Sequence, residues 1–137
     1  MFATLHTTPA ALTVNRIIDV FPFAEKVMVR SMLSDSLRAE VTQSLMKRRV
    51  GGRIAAHEIM IGTPAIGNLI REDKVAQIYS VLQTGSEFGM RTLDQSLRKL
   101  VEDRMITLEV AGEKAVYPEY FQKITEVTGT GKVTKKK

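Results

Sequence analysis

Two spacings of hydrophobic residues alternate along the chain and predict a mostly helical α+β protein with one two-stranded hairpin. Alternation of apolar and polar positions predicts strands over Ala39–Met46 and Arg53–Ile61, joined by a short basic turn that ends in two glycines. Spacing of three and four predicts five helices, whose apolar faces are Leu12, Val14, Ile17, Ile18 and Phe21; Val29, Met32, Leu33 and Leu37; Ile66, Leu69 and Ile70; Val75, Ile78, Tyr79 and Leu82; and Leu93, Leu97, Leu100 and Val101. A weaker helix is predicted from Thr107 toward Val116.

Capping chemistry indicates where several helices begin. Thr63 is placed to cap a helix whose first residue is Pro64, since a proline at that position loses no intrahelical hydrogen bond. Thr92 and Gln95 have the spacing of a capping box, which predicts that another helix begins between them. Gly85 is expected to end the helix before that one.

The first residues form a different pattern. Residues 1–5 resemble a short strand, and His6 and Thr7 lead from it to a helix that Pro9 opens. We expect an edge strand without natural neighbours here, followed by a helix N-terminus whose free N–H groups favour an anion. On these residues alone, a single histidine in a turn is more often solvated or structural.

A stretch of eight residues, Ala-Ile-Gly-Asn-Leu-Ile-Arg-Glu at positions 65–72, closely resembles the A-I-R-N-L-I-R-E signature of the PilT family, the ATPases that retract type IV pili. Seven positions match, and Gly67 replaces the arginine of the family. The resemblance implies a retraction motif made of the seven matching residues, Ala65, Ile66, Asn68, Leu69, Ile70, Arg71 and Glu72.

A second resemblance lies near the N-terminus. Residues 3–7 and 15–22 are similar to the His box of secretion and pilus ATPases, in which a histidine lies near the terminal phosphate of ATP. By this resemblance His6 senses the nucleotide and Thr7 is its polar neighbour. The likeness to the family extends over most of residues 2–106 and is weak beyond them.

The family resemblance implies the C-terminal part of a RecA-like ATPase domain over residues 1–126, from a homo-hexamer that couples ATP hydrolysis to twitching motility. It also implies ATP and magnesium in the parent protein, a cytoplasmic place peripheral to the inner membrane, and partnership with the pilus platform protein and sister pilus ATPases. The chain contains no phosphate-loop sequence, G-x-x-x-x-G-K-[ST], so it is expected to be inactive alone and to hold no cofactor tightly.

Two further interpretations belong to other functional classes. One is a non-enzymatic module that binds pilus-machine or sister ATPase proteins through the same helices. The other is a small nucleic-acid binder that uses the basic hairpin tip and the lysine-rich end of the chain.

Charge weakens the nucleic-acid interpretation. The net charge of +5 includes four lysines in the last six residues, and residues 1–131 hold 16 basic against 15 acidic residues. We therefore expect no nucleic-acid partner and a disordered basic tail over residues 127–137. There is no cysteine, and no apolar run approaches the roughly 20 residues that span a bilayer, so no membrane insertion is expected.

His57 and Glu58 are the adjacent pair of ionisable residues on the second predicted strand. Neighbouring side chains on a strand point to opposite faces, so the two residues cannot act as one acid–base pair. No H-E-x-x-H pattern follows, and we expect His57 to pack in or on the sheet and no metal site.

Overall fold

One antiparallel hairpin and six α-helices form the described part of the chain. The structure is a computed structural model, and it describes residues 2–5 and 9–122. In chain order the elements are α1 (Ala10–Asp19), α2 (Lys26–Ser36), β1 (Ala39–Lys47), β2 (Arg53–Ile61), α3 (Pro64–Arg71), α4 (Ile78–Thr84), α5 (Leu93–Glu102) and α6 (Leu108–Lys114). The predicted mostly helical fold with a single hairpin is confirmed within these residues.

The two strands of the hairpin lie where they were predicted, with β1 one residue longer. Pairing runs without a bulge from Ala39 opposite Ile61 to Lys47 opposite Arg53. Gly51 and Gly52 turn the chain with φ angles of 54° and 74°, a left-handed conformation that other residues adopt at a cost. The tip of the hairpin is joined to the α5–α6 connection, because the Arg49 N–H donates to the Met105 carbonyl at 2.9 Å.

Two apolar clusters lie along the buried face of the hairpin. The first contains Met60 of β2 and is completed by buried side chains of α1, α2, α3 and α4. The second contains Met46 and Ala56 and is completed by α5, α6 and Phe121. On β2, the residue between Ala56 and Met60 that faces inward is Glu58, so a carboxylate separates the two clusters.

Several apolar faces differ from the prediction. In α1 the buried residues are Ala10, Thr13, Val14 and Ile18, whereas Leu12 is 51% exposed. Leu12 lies about 200° around the helix from Ala10 at 100° per residue, and Phe21 lies beyond the end of the helix. In α2, Met32 is exposed while Leu33 and Leu37 pack against the first cluster.

The predicted N-terminal strand is wrong for residues 2–5, which are exposed and form no strand. A strand requires a hydrogen-bonded neighbour. The described strands pair with each other, and Ile59 of β2 forms one isolated bridge with Arg91, so neither strand is paired with residues 2–5. His6, Thr7 and the predicted tail at 127–137 lie outside the described residues. Within residues 2–5 and 9–122, no helix is both long enough and apolar enough to cross a bilayer.

Candidate functional site: the signature helix and the polar joint beneath it

Helix α3 carries the signature, and its start has the predicted capping. The Thr63 hydroxyl accepts the Ile66 N–H at 3.4 Å, and Pro64 occupies the first turn. Ile66 and Ile70 are fully buried in the first cluster, and Leu69 is partly buried against it. The apolar half of the signature therefore seats the helix on the body of the protein.

The polar half of the signature contacts helix α2. The Arg71 guanidinium donates to Asp35 at 2.8 Å, to the Ser34 hydroxyl at 2.9 Å and to the Asn68 side-chain oxygen at 3.1 Å. Asn68 thus orients Arg71 from within α3, and Ser34 and Asp35 hold it from the end of α2. We call these four residues the clasp.

A second ion pair also joins α2 to the region of α3, but here the cation lies on α2 and the anion follows α3. Arg30 of α2 lies 2.8 Å from Asp73, which follows α3 and has a left-handed φ of 59°. Glu72 is not part of this arrangement. It pairs with Lys74 at 2.6 Å, and that hydrogen bond and charge hold the pKa of the Glu72 carboxyl below its usual value.

Gly67, the position at which the signature departs from the family, is buried against α2. A Cβ atom at this position would lie 3.2 Å from the Ser34 carbonyl oxygen, which is tight but not an overlap. The glycine therefore permits a close approach between α3 and the residue of α2 that also contacts Arg71.

A buried polar joint lies beneath these helices, and it was not predicted from the sequence. The Glu58 carboxylate, 1% exposed, accepts the Ala10 N–H at the start of α1 at 2.6 Å and the Leu93 N–H at the start of α5 at 3.1 Å. Burial raises the pKa of Glu58, while these two hydrogen bonds oppose the shift. Its signal in the sequence was the alternation on β2, which places Glu58 on the same face as Ala56 and Met60.

Other polar groups surround the joint. Thr42 is the cross-strand partner of Glu58, and its hydroxyl donates to Glu40 at 3.3 Å. Burial raises the pKa of Glu40, and hydrogen bonds from Thr13 and Thr42 moderate the shift. On α5, Asp94 accepts the N–H groups of Val116 and Tyr117 at 2.7 and 3.0 Å.

Comparison of the sequence with known proteins identifies relatives of this chain. No family model matches the chain. The type IV pilus retraction ATPase PilT of Pseudomonas aeruginosa is 62% identical over 121 residues, which cover 88% of this chain and 35% of that protein. A twitching motility protein of Neisseria gonorrhoeae is 59% identical over 116 residues, covering 84% of this chain and 31% of its own length. The chain belongs to the PilT family.

Similarity of structure leads to the same family. The crystal structure of the pilus retraction motor PilT with bound ADP matches with a TM-score of 0.77 and 39% identity, over 87% of this chain and 33% of that one. The chain thus spans about a third of the length of these two relatives. The signature predicted this membership, and the match is to the C-terminal part of the ATPase.

Of the two sets of residues predicted from the family resemblance, one lies within the described structure and the other does not. The seven residues of the predicted retraction motif lie together on or next to α3, with Ala65 and Glu72 exposed at its two ends. The nucleotide-sensing pair, His6 and Thr7, lies outside the described residues and stays a prediction. Neither Ser34 nor Asp35 was singled out, because partners from another helix leave no signal in the spacing of the signature.

One N–H group of the predicted anion site at the start of α1 has a partner within the chain, since Ala10 donates to Glu58. No three acidic or histidine side chains within residues 2–5 and 9–122 are grouped to hold a metal ion.

Proposed function

We propose that the chain is the C-terminal segment of a hexameric type IV pilus retraction ATPase that couples ATP hydrolysis to pilus disassembly and twitching motility. The observation that carries this proposal is the 62% identity over 121 residues to the retraction ATPase PilT of Pseudomonas aeruginosa. ATP and magnesium bind mainly through the part of the ATPase that lies outside this chain, and His6 and Thr7 report the state of the nucleotide.

In this proposal the residues of the retraction motif on α3 have two different structural roles. Ile66, Leu69 and Ile70 seat the helix, and Asn68 and Arg71 fix its polar edge to α2. Ala65 and Glu72 remain exposed at the ends of the helix and are available to a partner. In this proposal the motif transmits force as a rigid surface, which acts in the cytoplasm on the platform protein of the inner membrane or on a sister pilus ATPase.

The test uses the full-length ATPase in a host that lacks its own copy. Complementation with the wild-type gene is expected to restore twitching, and the purified protein is expected to hydrolyse ATP as a hexamer. Arg71→Ala should lose twitching and keep hydrolysis, while the matched control Lys74→Ala, from the exposed pair with Glu72, should keep both. A host without the gene that twitches normally would overturn the proposal.

The non-enzymatic alternative is supported by one observation, the absence of a phosphate-loop sequence from these 137 residues. It predicts a full-length protein that binds its partners without ATP and shows no hydrolysis. Pull-down of sister ATPases with and without ATP, combined with an assay of hydrolysis, separates the two functions.

A further inference from the structure

Five cationic side chains gather at and beside the tip of the hairpin. They are Lys47, Arg48, Arg49, Arg53 and Arg104, and we call them the cationic tip. Arg104 belongs to the connection between α5 and α6, and the others lie on the hairpin. Met105 holds this connection against the hairpin, because its carbonyl accepts the Arg49 N–H at 2.9 Å and its sulfur lies 3.9 Å from the Arg48 guanidinium. The tip is therefore a fixed surface and not a free turn.

The charge of the cationic tip is not compensated by acidic residues in the described part of the chain. All of its residues are exposed, and none of them belongs to the ion pairs formed within residues 2–5 and 9–122. Lys47 and Arg53 lie directly opposite each other across the hairpin, and like charges in such a pair destabilise it. The charge of the tip therefore does not serve the stability of the fold.

Arg104 has a backbone conformation that glycine usually adopts. It follows the end of α5 with a left-handed φ of 57°, and its N–H donates to the Val101 carbonyl at 2.9 Å, as at many helix ends that glycine closes. A side chain makes the left-handed conformation less favourable than it is for glycine. The cation of Arg104 is thus placed beside the tip at a conformational cost.

An apolar side chain lies between these cations in the turn of the hairpin. Val50 is 85% exposed, and it follows Arg49 and precedes Gly51 and Gly52. In water it gives up the favourable free energy of apolar burial. Cations around an exposed apolar residue suit the surface of a bilayer, because the cations attract anionic headgroups while the apolar side chain reaches the boundary of the acyl chains.

Two other kinds of anionic partner fit the tip less well. A stable protein interface takes about 20–30 residues on each side, whereas the end of a two-stranded hairpin presents only a few. Single-stranded nucleic acid is usually held in a groove with aromatic side chains on which its bases stack. The end of a hairpin projects outward, and residues 45–55 contain no aromatic residue. A fluid lipid surface requires neither an extended complementary surface nor stacking.

We propose that the cationic tip and Val50 form a docking surface for anionic phospholipid headgroups. The contact is peripheral, since the lipid phosphates accept hydrogen bonds from the cations and Val50 enters only the headgroup region. Helix α3 begins at the other end of β2, so this surface is separate from the retraction motif. The inference goes beyond the proposed function, because binding to lipid requires no hydrolysis of ATP.

Co-sedimentation of the full-length protein with vesicles tests the proposal. Vesicles of equal parts phosphatidylglycerol and phosphatidylcholine should bind the wild-type protein, vesicles of phosphatidylcholine alone should not, and added salt should weaken the binding. The double variant Arg48→Gln, Arg49→Gln should bind at least about tenfold more weakly, because each cation near an anionic surface contributes to the affinity. Val50→Ser should weaken binding by a smaller factor. Circular dichroism should show that all variants remain folded.

The matched control is the double variant Arg38→Gln, Arg98→Gln, which loses the same charge. Both residues are exposed, lie outside the cationic tip and form no ion pair within the described part of the chain. The control should bind the anionic vesicles within about twofold of wild type. The four lysines in the last six residues are common to all variants, so they cannot produce a difference between them.

Three results would overturn the inference. One is a wild-type protein that does not bind the anionic vesicles, and another is an equal loss of binding in the two double variants. The third is a wild-type protein that binds duplex DNA at a salt concentration at which it has left the vesicles, which would assign the tip to nucleic acid. None of these measurements involves ATP hydrolysis, so each result leaves the proposed function as it stands.

Discussion

The guanidinium of Arg71 lies 2.8 Å from the carboxylate of Asp35, so a residue of the signature on α3 is bound to the last turn of α2. The same guanidinium contacts Asn68, which places two polar residues of the signature in one clasp. A signature helix is often regarded as a surface for partners. In this chain its polar edge is largely occupied by contacts within the protein.

We expect Arg71→Ala to change function more than stability. The Arg71 side chain is 45% exposed and that of Asp35 is 70% exposed, and pairs of this kind contribute about 0–1 kcal/mol to the free energy of unfolding. Urea denaturation should therefore show a loss of no more than about 1 kcal/mol. Asp35→Ala removes the other partner and should reproduce the loss of twitching, whereas retained twitching in Asp35→Ala would mean that Arg71 acts outside the clasp.

The apolar side of α3 should show the opposite behaviour. Ile70 is completely buried in the first cluster, so Ile70→Ala should lower the free energy of unfolding by about 2–5 kcal/mol. Leu69 is only partly buried, so Leu69→Ala should lower the free energy of unfolding less than Ile70→Ala does. The exposed neighbour Asn68→Ala is the control, and equal losses for Leu69 and Ile70 would contradict the observed burial.

The elements that the sequence predicts correctly are those whose structure is decided by interactions between near neighbours along the chain. The hairpin strands and the Thr63 and Thr92 caps were predicted within a residue, because alternation and capping act between near neighbours. The buried face of α1 and the contacts of Arg71 depend on elements distant in sequence, and spacing alone could not reveal them. The alternation on β2 placed His57 and Glu58 on opposite faces, but only the fold shows that Glu58 faces inward and that two helices begin at its carboxylate.

Gly62 and Gly67 both lie against neighbouring backbone, but replacing each with alanine should change the stability of the protein differently. At Gly67 a Cβ would lie 3.2 Å from the Ser34 carbonyl oxygen, and a small shift of α2 can accommodate it. Because glycine inside a helix costs roughly 1 kcal/mol relative to alanine, we expect Gly67→Ala to match wild type or to gain up to about 1 kcal/mol. At Gly62 the added Cβ would overlap the Leu37 carbonyl, and Gly62→Ala should lose about 1–3 kcal/mol. Thermal denaturation of both variants checks the ranking, and a greater loss at Gly67 would show that α2 cannot move.

The buried carboxyls predict how stability depends on pH. Burial raises the pKa values of Glu58 and Glu40 above their ordinary value of 4.5, so the folded protein binds protons more tightly at these sites than the unfolded chain does. Their contribution to stability is therefore fully present below pH 4.5 and is lost as the pH rises through the raised pKa values. Asp19 and Glu72 have lowered pKa values and act in the opposite direction, but both are exposed, and their effect lies at and below their ordinary values of 3.8 and 4.5.

Urea denaturation at several pH values between 4.5 and neutrality should therefore show that the contribution of Glu58 and Glu40 to the free energy of unfolding declines as the pH rises. The double variant Glu40→Gln, Glu58→Gln cannot titrate at either site, so its free energy of unfolding should vary less over this range than that of wild type. Asp19→Asn is the matched control, because it removes an exposed carboxyl with a lowered pKa and should leave the slope above pH 4.5 unchanged. A double variant with the same slope as wild type would mean that Glu40 and Glu58 titrate alike in the folded and unfolded states, in spite of their burial.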